Sequence, residues 1–374
     1  MKKLWRGLLL FALIFTLAAC QGQEEEKEPE VKVQQEVVVE EAEEEPKEEV
    51  TGDAKNIWVL IPGDEKDNGF MEAGYRGYER IRDGLEGVEV EYVSNISATS
   101  EEEALTEAMR DIAKEGPDLI IAQGGQNNLP AEKISAEFPE IQFIVIQGNV
   151  KGENLGSYAV DQEQSAYLAG ALAGLMTETN KVGHLSGAWP QPGLNARAAY
   201  YQGLMNTNPE AIFYSTFTGN LDDVEINKEA ANAQLEEGVD VIYTMLNGGR
   251  QGATDAIKKM EGNMEIGNVI DWTKEDDVFI GSAVADSSVA IFNAAEDFVN
   301  GELKTNEVTI IGLDNPEVVN ITFSDSVAQD IKDQVELLKE QIMEGGITIS
   351  HEFDGEEFDT ETGEFVPQDA KDNR

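Results

Sequence analysis

Ala113-Lys-Glu-Gly-Pro-Asp118-Leu-Ile-Ile121, leading into Gly124-Gly125, and Leu235-Glu-Glu-Gly-Val-Asp240-Val-Ile-Tyr243, leading into Gly248-Gly249, follow one pattern. Each reads as a helix end, a glycine cap, a buried strand and a diglycine loop that opens the next helix. Working outward, the first copy sits in a run of alternating elements. Strands are expected at Ile57–Ile61, Val88–Val93, Leu119–Ala122 and Phe143–Gln147. Helices are expected from Phe70 to about Leu85, at Glu101–Lys114 and near Ala131–Glu137. The order then restarts, with strands at Val182–Ser186, Ile212–Phe217, Val239–Met245 and Val269–Trp272. The helices between them are Asn195–Met205, Asn227–Glu236 and Gly252–Met260. Short apolar strands alternating with helices predict an α/β protein of two Rossmann-like lobes, each a parallel sheet with helices on both faces.

In open α/β sheets, ligands sit beyond the carboxyl ends of the strands, where helix N-termini offer free N–H groups. The loops concerned are Pro62–Gly69, Gln123–Asn128, Gly187–Leu194, Asn247–Gln251 and the segment after Asp271. Asp67 and Asn68 fit either a helix cap or a ligand contact. Phe70 fits a core residue or a stacking ring, and Trp189 is the main aromatic contact expected. Gln123, Asn247 and Arg250 supply hydrogen-bonding groups, with a surface salt bridge the alternative for Arg250. Asp271 and Trp272 are expected at a strand end, facing ligand.

The first residues read as a secretory signal. Lys2, Lys3 and Arg6 precede an apolar stretch, Leu8–Ala18, too short to be a typical membrane span. It ends in Leu17-Ala18-Ala19-Cys20, similar to the lipobox of bacterial lipoproteins, and Cys20 is the only cysteine of 374 residues. Diacylation there gives stable anchoring. Residues 1–19 are thus expected to be a signal peptide and 20–52 a lipidated cysteine with an acidic, disordered tether. The net charge is −47, which repels nucleic acid and anionic headgroups.

Enzyme signatures are missing from the sequence: no Gly-x-Gly-x-x-Gly, no phosphate loop and no His-Glu-x-x-His. His184 and His351 lack the partners of a metal site. No catalytic residue, metal or cofactor is therefore expected, and a polar, aromatic cleft without a nucleophile reads as a binder.

Asp67-Asn-Gly-Phe70, Tyr167-Leu-Ala-Gly-Ala-Leu-Ala-Gly174, Lys181-Val-Gly-His-Leu-Ser-Gly187, Gly238-Val-Asp-Val-Ile-Tyr243 and Ile280-Gly-Ser-Ala-Val-Ala-Asp286 occur in the order found in the basic membrane protein family. The chain resembles that family from about Asn56 to Ile349, and is similar to its purine nucleoside receptor lipoproteins. Ile270-Asp-Trp272 and Ser282-Ala-Val-Ala-Asp-Ser-Ser-Val-Ala-Ile291 look closest to the Med-type branch. The resemblance implies a type I periplasmic-binding-protein fold, its lobes joined by three crossings near Tyr158–Asp161, Gly281–Ala285 and Gly312–Pro316. The N-terminal lobe would be 53–158 plus 285–312, the C-terminal lobe 159–284 plus 313–352, and 353–374 a tail. It implies a monomeric, membrane-anchored receptor that hands a small ligand, a purine nucleoside or related heterocycle, to an ABC permease. The alternative is a regulatory lipoprotein without a transport role. In nucleoside-binding members the base stacks between aromatics, and an aspartate and a lysine bind the ribose. Phe70 matches the first aromatic and Asp271 the aspartate. Met71 replaces the asparagine usual after that Phe, and Ala285 stands where the lysine is expected.

Overall fold

The computed structural model describes residues 54–96, 102–187 and 191–368. The expected signal peptide, Cys20, the tether and Trp189 lie outside them. Strand and helix alternate through β1 (Lys55–Leu60), α1 (Phe70–Gly84), β2 (Val88–Val93), α2 (Glu102–Lys114), β3 (Leu119–Gln123), α3 (Asn128–Glu137), β4 (Gln142–Ile146) and β5 (Leu155–Val160). At Asp161 the chain crosses into a second unit. This holds α4 (Gln162–Met176), β6 (Lys181–Ser186), α5 (Gln191–Thr207), β7 (Ile212–Phe217), α6 (Val224–Glu236), β8 (Val241–Met245), α7 (Arg250–Ile257), β9 (Met264–Val269) and β10 (Phe279–Ala285). Through Asp286 it returns to the first unit for α8 (Ser287–Asn300), which packs on α1, and β11 (Val308–Ile311). A last crossing leads to β12 (Val319–Phe323) and α9 (Gln329–Met343), then to the hairpin β13 (Glu357–Asp359) and β14 (Glu364–Val366).

The two six-stranded sheets have matching orders, β11-β5-β4-β3-β1-β2 and β12-β10-β9-β8-β6-β7. They differ in sense at one edge, where β11 runs parallel to β5 and β12 antiparallel to β10. The paired sequence motifs occupy equivalent places. Gly116 after α2 and Gly238 after α6 have φ of 74° and 88°, which an L side chain rarely adopts. Both β3 and β8 are buried along their whole length, as central parallel strands should be.

The motif Tyr167–Gly174 lies on α4, whose residues Ser165–Gly174 are buried on every side. A helix without a polar face belongs in a core. Here it packs against α5 through reciprocal glycines. A Cβ on Gly170 would overlap the Tyr200 carbonyl oxygen, and one on Gly203 would overlap that of Tyr167.

Three sequence expectations need revision. The strand expected at Val269–Trp272 is β9, which ends at Val269 with φ 70°. The apolar pattern hid it because Glu265, fully buried, interrupts the run. Gly281–Ala285 is not itself a crossing but part of β10, paired with Thr322 and its neighbours in β12, and the chain crosses just after it. Residues 353–368 form a strap against β7, with Phe358 buried and Glu357 3.3 Å from the buried Arg197. Among the described residues, no helix is long and apolar enough to cross a membrane.

Candidate ligand-binding site

Asp67 sits in the β1–α1 loop and caps α1. Its Oδ1 accepts from the backbone N–H of Gly69 at 2.8 Å and of Glu72 at 3.0 Å, and Oδ2 from Met71 at 3.1 Å. The same Oδ2 accepts from Asn247 Nδ2 of the opposite lobe at 3.1 Å. Gly69 completes the contact, because a Cβ there would overlap Asn247 Oδ1. The lobes therefore touch through Asp67, Gly69 and Asn247. Burial, reinforced by Asp222, holds the Asp67 carboxyl above its ordinary range despite its three backbone donors. Asn68 is exposed with φ 55°, and Phe70 is half-buried in the first turn of α1.

Gln123 ends β3 and is fully buried. Its Nε2 donates to the Phe70 carbonyl at 2.8 Å and to Ser287 Oγ at 2.9 Å, tying β3 to the starts of α1 and α8. Its role in this structure is a tie between three elements of the first lobe.

Arg250 does not make a surface salt bridge; it is buried at the start of α7. Its guanidinium donates to the Thr244 carbonyl at 2.8 Å, to Thr244 Oγ1 at 2.6 Å and to the Leu246 carbonyl at 2.6 Å, and also to Asn268 Oδ1. It lies 4.5 Å from the Trp272 ring. Thr244 Oγ1 in turn donates to Glu265 Oε1 at 2.6 Å. Burial raises the Glu265 carboxyl to about 7, opposed by Arg250, and lowers Arg250 to about 10. Trp272 also donates from Nε1 to the Asn268 carbonyl at 2.8 Å. Asp271 ends no strand. It caps a short 3₁₀ turn at Trp272–Lys274 and accepts from Thr273 Oγ1 at 2.6 Å and Thr322 Oγ1 at 2.8 Å, with Lys274 at 3.0 Å. Arg250 thus fixes the loop that carries Trp272 and Asp271.

Where β5 crosses to α4, a cavity of about 570 Å³ opens between the lobes. The first lobe contributes Gly125, Asn128, Gln147, Asn149, Ala159, Val160 and Ile310, the start of α5 contributes Gln191, Pro192 and Asn195, and His351 follows α9. Asp161 and Glu163 stand at the crossing itself. Glu163 Oε1 accepts from Asn195 Nδ2 at 3.1 Å, and Asp161 Oδ2 from Gln164 Nε2 at 2.8 Å. Burial, with Asp161 next to it, raises the Glu163 carboxyl above its ordinary range. A second cavity of about 410 Å³ adjoins at Gln191 and His351 and reaches Arg197 and Phe353.

Of the residues expected to bind ligand, the structure brings Asp67 and Asn247 together and groups Asp271 with Trp272. None of the described ones lines the larger cavity. Two of its walls, Gly125–Asn128 and Gln191–Pro192, do fall in loops named from the sequence. The omissions are Gln147 and Asn149 after β4, Asp161 and Glu163 after β5, and His351. The carboxyl-end rule reaches Gln147 and Asn149 from the strand expected at Phe143–Gln147, and Asp161 and Glu163 once β5 is read as a sheet strand. Leu155-Gly-Ser-Tyr-Ala-Val160 is too mixed to announce itself.

A family model described as ABC transporter substrate-binding protein PnrA-like matches residues 54–352. The transcriptional activator protein med of Bacillus subtilis is 25% identical over 285 residues, 76% of this chain and 87% of that protein. The putative ABC transporter glucose-binding protein TsgA13 of Haloferax volcanii is 26% identical over 330 residues, 83% and 77% of the two. Among solved structures, an ABC transporter system solute-binding protein from Aeropyrum pernix superposes with a TM-score of 0.69 at 20% identity, covering 80% of this chain and 94% of that one. That likeness, with two matching sheets and three crossings, shows the type I periplasmic-binding-protein fold. With most of its length matched, the chain belongs to the PnrA-like family of ABC transporter substrate-binding proteins, in which the basic membrane proteins are found.

Proposed function

We propose that the chain is a lipid-anchored receptor that closes its lobes on a purine nucleoside or related heterocycle outside the membrane and hands it to an ABC permease. The observation that carries the reading is an interlobe cavity walled by strand ends of the first lobe and helix starts of the second, in a chain of a substrate-binding family. Phe70, half-buried where α1 begins, and Trp189 are the aromatic candidates for the base, and Asp271 is the candidate for a hydroxyl or ring N–H; neither Phe70 nor Asp271 lines that cavity. Cys20 is the anchor in this reading. It does not depend on a ribose lysine, since Ala285 stands at that place.

Calorimetry with adenosine, guanosine and inosine tests it, on full chain recovered from the membrane fraction and stripped of bound solute by unfolding and refolding. Binding is expected, with Trp189→Ala weakening it at least tenfold, in line with the ~1–3 kcal/mol of base–aromatic stacking. No heat with any of the three overturns the nucleoside, and recovery of the chain only in the soluble fraction overturns the anchor. The likeness to a transcriptional activator favours the regulatory lipoprotein as second reading, to which failure of all three nucleosides would point.

A further inference from the structure

The cavity between the lobes has a defined charge. Carboxamides face it from both sides, with Asn128, Gln147 and Asn149 on the first lobe and Gln191 and Asn195 on the second. Those of the first lobe are largely fixed. Asn128 Nδ2 donates to Asn149 Oδ1 at 2.9 Å, and Gln147 bonds the Val160 backbone at both ends of its amide, at 2.7 and 3.1 Å. They form a pre-set polar wall with an apolar floor of Ala159, Val160 and Ile310. Among the described residues, no Lys or Arg lines the space, and His351 is its one basic side chain.

Into this cavity the crossing between β5 and α4 brings two carboxyl groups. Asp161 occupies the N-cap position of α4, yet its side chain makes no capping bond to the helix backbone. Its bond goes to the Gln164 side chain instead, and Glu163, two residues on, lines the same cavity. The surface acids of this chain are solvated, but this pair is partly buried, and among the described residues His351 is the only basic side chain in the lining of its cavity. Two adjacent carboxylates in that setting take up a proton or a cation.

We propose that this cavity seats a protonated amine of the ligand between Asp161 and Glu163, with the carboxamides holding the ligand's neutral polar atoms. An ammonium group supplies N–H donors and the positive charge together, so it satisfies the acceptors and replaces the proton the pair would otherwise share. This assignment rests on the solute-capture reading and adds the ligand's charge class to it. By the same electrostatics, phosphorylated or carboxylated solutes are rejected.

The test is calorimetry on the full chain with putrescine and spermidine, against 1,4-butanediol as the uncharged match and tetramethylammonium as a cation without N–H. At constant ionic strength an amine should bind at least tenfold more tightly than either control. Glu163→Gln should weaken that binding at least tenfold, and Asp161→Asn/Glu163→Gln should abolish it. Glutamine keeps the acceptor for Asn195, so the variant should melt within a few degrees of wild type. The double change removes two of 74 acidic residues, so general attraction of cations to the surface survives it. Equal binding of amine and diol, amine binding untouched by the double variant, or no amine binding would each overturn the assignment. Nucleosides in parallel keep the two readings apart. Nucleosides bound equally by wild type and double variant, with no amine effect, would remove the amine assignment and leave nucleoside capture standing. Amines bound without nucleosides would do the reverse.

Discussion

In the first lobe, Gly124 follows Asp118 by six residues; in the second, Gly248 follows Asp240 by eight. The parts the lobes share are framework. Asp118 accepts from the Asn56 N–H at 2.9 Å as β1 begins, while Asp240 accepts from Thr177 Oγ1 at 2.6 Å and from the N–H groups of Glu178 and Thr179 at 2.7 and 2.9 Å just ahead of β6. Each aspartate ties its strand to the first strand of its lobe or to the turn just before it. The parts that differ carry the polar apparatus. The longer loop of the second lobe makes room for Asn247, which reaches Asp67 across the cleft. One strand away, Phe143 opposite Ile120 corresponds to Glu265 opposite Ile242. At this position one lobe has a phenylalanine, and the other keeps a buried Glu–Thr–Arg chain beneath the Asp271–Trp272 loop. Duplicated architecture therefore fixes where the loops lie, and departures from the duplication show where each lobe ties its loops by buried polar contacts.

The sharpest way to break this comparison is at the residue that follows each diglycine. Arg250→Ala leaves the oxygens of Thr244, Leu246 and Asn268 without their donor and Glu265 without a nearby positive charge. Urea unfolding should show a loss of about 3–5 kcal/mol. Gln126→Ala in the first lobe should stay within about 0.5 kcal/mol. Similar losses at both positions would mean that the lobes are not differently built.

Next in size is a pH effect confined to the second lobe. Unfolded, Glu265 releases its proton from about 4.5 upward; folded, it keeps it to about 7. The unfolded chain binds fewer protons between those values, so stability falls as pH rises from 4.5 to 7 and levels off above. The fall should be on the order of 3 kcal/mol. Glutamine at 265 mimics the protonated form and should remove it. A stability difference between wild type and Glu265→Gln that is the same at pH 5 and pH 8 would contradict the burial of that carboxyl.

The smallest effect is at the rim. Asn247→Ala removes one interlobe hydrogen bond, roughly 1 kcal/mol, which is about fivefold in the ratio of closed to open forms. The ligand-free variant should scatter with a larger radius of gyration than wild type. An unchanged radius would show that the extra length of this loop plays no part in closure.

Much of the fold was legible because central parallel strands are apolar runs and the glycines after α2 and α6 are required by their backbone angles. Leu119–Gln123 and Val241–Met245 announce themselves in that way. Met264–Val269 did not, since its burial depends on partners, Thr244 and Arg250, that sequence does not place beside Glu265. The crossing segments were approximated only through the family resemblance. The site was harder to read. Loops at strand ends were found by rule, but which side chains are used up in holding the protein together is a three-dimensional matter. Gln123 and Arg250 look like ligand donors in the sequence and are spent on backbone carbonyls and neighbouring side chains in the structure. Asp161 and Glu163 looked like two acids among many.

The glycine contact between α4 and α5 bears on how a solute would be met. Backbone lies directly on backbone at Gly170 and Gly203, leaving no side chain between the helices to rearrange. Glu163 rides on α4, and Gln191 and Asn195 ride on α5, so the second lobe's wall of the cavity is one preorganised body. A solute docking there first would find its partners already in their final geometry, and little entropy would be lost in ordering them. What remains to be ordered is the approach of the first lobe, so residence time should be governed by hinge opening and not by loosening of that wall.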